Sequence, residues 1–108
     1  MIDGLYKVEF GTQLGSGTGV VHLRDGRVWG GDMSLYYVGT YTLDGDRFAA
    51  EVRTDKHTSV PGIASVFGID RVNIRLNGSV AGHSIRTNGT AAEAPGVSFR
   101  AHLTRLAD

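Results

Sequence analysis

The chain is 108 residues long, the size of one domain, with 41% hydrophobic and 20% charged residues, a balance that suits a packed domain and not a disordered segment. Eleven basic residues offset eleven acidic ones for a formal net charge of zero, and no basic block occurs, which argues against direct nucleic-acid binding and against a polybasic membrane patch. Having no cysteine excludes disulfides, thiol catalysis and Cys-ligated zinc, and sixteen glycines beside two prolines favour strands and turns over helices, in which an interior Gly costs about 1 kcal/mol relative to Ala.

The first residues, Met1-Ile2-Asp3-Gly4, lead straight into a strand pattern without a basic region and apolar run. No signal peptide is expected, and cytoplasmic location is the default expectation. No apolar stretch reaches the roughly 18 residues that span a bilayer. Period-2 alternation then recurs along the chain. Tyr6, Val8 and Phe10 share one face while Lys7 and Glu9 share the other. Residues 19–23 form a β-branched strand that stops at Arg24-Asp25-Gly26-Arg27. Asp-Gly between two strand patterns predicts a type I′ turn, whose two central residues need φ > 0. Val28 and Trp29 return, and Gly30-Gly31 predicts a bulge or sharp bend.

The strand over 33–42 carries Leu35, Tyr37 and Tyr41 on one face and Tyr36, Val38 and Thr40 on the other, which predicts cover on both sides. Leu43-Asp44-Gly45-Asp46 is a second tight turn, after which Phe48, Ala50 and Val52 face inward. Residues 56–68 break the rhythm and predict the longest connection, with one helical turn and a short apolar patch from Ile63 to Phe67. Val72, Ile74 and Leu76 resume the alternation; Asn77-Gly78 and Asn88-Gly89 are read as further hairpin turns, the second opening a longer loop through 91–96. Val97, Phe99, Ala101 and Leu103 form the inner face of the last strand.

These elements predict an all-β fold: a single domain over residues 1–108, a small up-and-down antiparallel β-barrel of about eight strands, because closure removes both exposed edges. A sandwich of two small sheets is the alternative. At this length the strands are expected to be short and the interior mostly filled, although eight strands can also hold one small ligand.

No constellation for catalysis emerges, and the chain is expected to bind rather than to act as an enzyme. Gly15-Ser16-Gly17-Thr18-Gly19 lacks the spacing and following helix of a phosphate loop and reads as a turn or bulge. His22, His57, His83 and His102 have no metal-ligand spacing, so they are expected in surface or packing roles, with no metal and no cofactor. The sequons at Asn77 and Asn88 are read as turns. Trp29, Tyr36, Tyr37 and Tyr41 form a cluster on adjacent strands, either an aromatic patch for a dimer, partner or ligand, or filling for the barrel. A cavity lined by Tyr, Phe and aliphatic residues would favour a carrier of a small apolar ligand, and a filled interior would count against it.

Several motifs occur in an order that resembles the GrlR family of negative regulators of type III secretion. Asp3-Gly4-Leu5-Tyr6-Lys7-Val8-Glu9-Phe10 is similar to that family's opening strand; Gly17 and Gly19, Asp25-Gly26, and Gly31, Asp32, Tyr37 and Gly39 follow in its order. The resemblance covers the first half of the chain, and the second half shares the strand pattern only. It implies a lipocalin-like barrel, a homodimer, and a regulator without enzymatic activity that sequesters a transcriptional activator by direct binding. In the family such binding is associated with an acidic run in the hairpin after the GGD strand. The corresponding stretch here places Asp44 and Asp46 as the partner contacts.

Overall fold

Wherever apolar and polar residues alternate, the chain forms a strand with one face buried and the other wet. The computed structural model describes residues 2–62 and 65–108. Its eight strands are β1 (Gly4–Thr12), β2 (Gly15–Arg24), β3 (Arg27–Gly31), β4 (Leu35–Asp44), β5 (Arg47–Lys56), β6 (Val72–Ala81), β7 (Ser84–Ala91) and β8 (Phe99–Ala107). Each pairs antiparallel with its neighbours in sequence, and β8 pairs back onto β1 to close an up-and-down barrel. This is the barrel and not the sandwich. The closure shifts register between Leu5 and Tyr6.

Three tight turns lie at one end of the barrel. Asp25-Gly26 joins β2 to β3 with φ of 50° and 79°, the type I′ pattern expected of that pair. Gly45-Asp46 and Gly82-His83 make the other two, each opening on a glycine with φ near 60°. The longer connections 32–34, 57–71 and 92–98 gather at the opposite end.

Both Asn-Gly turn assignments are overturned. Asn77-Gly78 sits inside β6 and Asn88-Gly89 inside β7, where Asn77 lies opposite Asn88. The reason is register. β6 must continue past Gly78 to pair Ser79 with Arg47 of β5, and Gly82 supplies the turn instead. The two glycines are needed for close approach: a Cβ on Gly78 would run into the Arg86 carbonyl oxygen, and one on Gly89 into that of Arg75. The Gly15–Gly19 stretch is likewise strand, the first half of β2. Gly30 and Gly31 pair regularly with Tyr37 and Tyr36, and the bend follows them at Met33-Ser34. Residues 57–71 contain turns and bends but no helix among the described residues; Ile63 and Ala64 of the expected apolar patch lie outside them.

The inward positions pair large with small across the strands. Phe10 lies opposite Gly17, Val8 opposite Gly19, Tyr37 opposite Gly30, and Phe48 opposite Gly78. Leu23, Val72 and Ile85 are the most fully buried large side chains. Seven of the strands run eight to ten residues, and only β3 is short, because two-residue turns leave most of the chain free to be strand. Longer strands around an inner face carrying Gly17, Ala50 and Ala101 leave about 690 Å³ that their side chains do not fill. The expectation of a mostly filled interior is therefore corrected.

Candidate functional site

The space inside the barrel is a cavity of about 690 Å³. Its walls are aliphatic and aromatic, with Val21, Leu23, Val28, Phe48, Ile74 and Leu76 among them. An aromatic row crosses its upper part. Phe67, from the 57–71 connection, stacks on Phe99 of β8 at 5.2 Å; Phe99 stacks on Phe10 of β1 at 6.2 Å; Phe10 meets Tyr37 of β4 edge-on at 6.2 Å. All four line the cavity. Such rings supply large apolar area with preferred ring-to-ring geometry.

The described residues of the 57–71 connection, 57–62 and 65–71, lie at the open end as a lid, and hydrogen bonds tie them to the rim at several places. The backbone N–H groups of His57 and Thr58 both donate to the Ser34 carbonyl, at 2.8 and 3.3 Å, and the His57 Nε2 lies 2.9 Å from the Asp32 carbonyl oxygen. Thr12 donates through its hydroxyl to the Val66 carbonyl, and Thr54 donates to that of Asp70 at 2.7 Å. Lys56 and Asp70 form an ion pair at 3.1 Å, and Arg71 pairs with Asp55 at 2.8 Å.

Asp32 organises the rim. Its Oδ1 accepts the N–H groups of Ser34 and Leu35 at 2.9 and 2.8 Å, and its Oδ2 accepts the Tyr37 hydroxyl. This turn follows from the local sequence, since an Asp side chain readily caps the N–H groups two and three residues ahead. Burial pushes the Tyr37 phenol far above its ordinary value of 10, and the hydrogen bond to Asp32 and that carboxylate's charge push it further. The phenol therefore stays protonated and remains a donor. Asp32, Ser34 and Tyr37 all line the cavity.

The four aromatic residues singled out in the sequence do not form one cluster. Tyr37 and Tyr41 point inward, at opposite ends of β4, while Trp29 and Tyr36 point outward and are 39% and 37% exposed. Period-2 geometry dictates this split. Tyr41 stacks on Phe48 at 5.5 Å and donates to Asp3 Oδ1 at 3.0 Å; burial is the main reason its phenol is raised. Outside, Trp29 packs against His22 with ring centroids 4.8 Å apart. Val20, Gly31 and Tyr36 form the neighbouring cross-strand row. The cover expected on both faces of β4 is therefore missing on the outside among the described residues.

Asp44 ends β4 and Asp46 lies in the β4–β5 turn; both are exposed and make no ion pair among the described residues. They lie at the end of the barrel opposite the lid. The histidines are dispersed: His57 braces the lid, His22 packs against Trp29, His83 sits in a tight turn and His102 in β8. Among the described residues no three His, Asp or Glu side chains gather to hold a metal ion, and no helix is long and apolar enough to cross a membrane. Of the aromatic row, Tyr37 alone belongs to the patch read from the sequence; Phe10, Phe67, Phe99 and Asp32 are not site candidates there. The signal for Asp32 was its place after Gly30-Gly31 and five residues before Tyr37.

No family model matches the chain, and no curated protein matches it.

Proposed function

We propose that this protein works by binding, not catalysis, and that it takes up a small apolar ligand inside the barrel. The observation that carries this reading is the cavity of about 690 Å³ with aliphatic and aromatic walls. Ligand sites commonly enclose about 300–1,000 Å³ and combine apolar walls with a few polar groups. The test is a titration with N-phenyl-1-naphthylamine, a neutral dye that brightens in apolar surroundings. Saturable binding at one dye per chain is expected. Ala50→Phe, which grows a ring into the cavity, should weaken binding by at least about tenfold, equivalent to 1.4 kcal/mol, while the variant keeps its β-sheet circular dichroism. Absence of saturable binding by the wild-type chain would overturn the reading.

A second reading comes from the resemblance to the GrlR family: a negative regulator that sequesters a transcriptional activator. The exposure of Asp44 and Asp46, with no ion pair to occupy them among the described residues, favours a contact there. The two readings use opposite ends of the barrel and are compatible. Trp29 and Tyr36 face outward and line neither the cavity nor the acidic turn.

A further inference from the structure

We infer that the cavity selects its ligand by head group, taking a neutral or cationic amphiphile whose hydrogen-bond-donating head sits at the Asp32 carboxylate under the lid, and rejecting anionic amphiphiles such as fatty acids. This rests on the reading of the barrel as a ligand site. Among the described residues that line the cavity, Asp32 is the sole charged side chain, and no basic one accompanies it. Of the basic side chains at the lid, Lys56 pairs with Asp70 and Arg71 with Asp55, and His57 places its two ring nitrogens against the Thr58 hydroxyl and the Asp32 backbone carbonyl, outside the cavity lining. A carboxylate head would thus enter without a cation and face a like charge in a partly desolvated mouth, where repulsion is stronger than in water.

The acceptor capacity at Asp32 completes the argument. A carboxylate offers about four lone-pair sites. The Ser34 and Leu35 N–H groups and the Tyr37 hydroxyl take three, which leaves one on Oδ2 for a ligand donor. The other hydroxyls that line the cavity, on Ser16, Thr18, Ser34, Thr54 and Ser65, are neutral acceptors, and a donating head binds them less strongly than it binds a carboxylate. The head cannot settle at the other end of the cavity, where Leu23, Val28 and Phe48 would strand a polar group. The apolar tail therefore points toward the tight turns, and the head stays at the mouth beside the lid.

Three amphiphiles of equal chain length separate the possibilities: dodecylamine and dodecanoate, each below its micelle concentration, and dodecan-1-ol below its solubility limit, all at neutral pH. Each is assayed by displacement of N-phenyl-1-naphthylamine from the whole chain. The amine and the alcohol should displace the dye at least about tenfold more tightly than dodecanoate, since a hydrogen bond to a charged group is among the stronger ones. Asp32→Asn keeps an oxygen for the two backbone N–H groups and removes the charge; it should weaken the amine and strengthen dodecanoate. Tyr37→Phe frees Oδ2 and should leave the preference for the amine intact or enlarged. Equal binding of dodecanoate and dodecylamine by the wild-type chain would overturn the head-group inference alone, and needs no variant. Failure of the dye and all three amphiphiles to bind would overturn the ligand-site reading beneath it.

Discussion

Glu93 fastens the β7–β8 connection to the start of β6 with both carboxylate oxygens. Oε1 accepts the Asn73 backbone N–H at 2.8 Å, and Oε2 accepts the Asn73 side-chain amide at 2.6 Å. Those bonds, the backbone one first, hold the carboxyl below its ordinary value of 4.5. A folded-state pKa below the unfolded one contributes stability that is present above the unfolded value and lost as pH falls through the folded value. Glu93→Gln is therefore expected to melt below the wild-type chain at pH 7. The gap should close as the pH falls below about 4.5 and vanish in stronger acid. Calorimetric melts from pH 7 to pH 3 check this; a gap that persists unchanged in acid would remove the assignment. The side chain is exposed, so the effect is small and weakens with salt. Neither Glu93 nor Asp32 was legible as a structural residue, because each acts on backbone groups whose positions depend on the fold around them.

β6 and β7 show how an element can override its own local signals. Asn-Gly is strong turn chemistry when the flanking strands are free to end there. Here the inner-face series Val72, Ile74, Leu76, Gly78 and Val80 runs on, and ending at Gly78 would give up the pairing of Arg47 with Ser79. The expected energetic signature differs from that of a turn glycine. Gly78→Ala should cost about 3 kcal/mol, because its Cβ meets strand backbone that cannot yield without loosening the ladder. Gly82→Ala, at φ 61° with open space around it, should cost about 1 kcal/mol. Urea denaturation of the two variants measures the difference. Equal costs would argue that β6 and β7 are not coiled this tightly.

At the scale of the molecule, the barrel separates its two candidate contacts by its full length. The lidded mouth with Asp32 lies at one end and the turn carrying Asp44 and Asp46 at the other. Replacing both aspartates with alanine should weaken capture of a stoichiometric protein partner by the tagged chain. The loss should be large in low salt and small in high salt, as screening of exposed charges requires. The same double variant should bind N-phenyl-1-naphthylamine within about twofold of the wild-type chain, since nothing at that turn lines the cavity. Capture that is unaffected at low salt would remove the acidic contact and leave the cavity reading standing.

The sequence by itself determined the all-β class, the number of strands and most of the inward faces, because period-2 alternation is a local property that survives in any sheet with one buried side. The Asp25-Gly26 and Gly45-Asp46 turns were legible for the same reason: strand patterns stop on both sides of them. Tertiary structure alone decided the cavity, the lid and the fate of the Asn-Gly pairs. Whether Gly17, Ala50 and Ala101 leave a void depends on how many such small residues face one another across a closed barrel. Whether Asn77-Gly78 turns depends on a register set by β5. Pairing and enclosure are non-local, so the residues that build the mouth, from Thr12 to Phe99, carry no common mark along the chain.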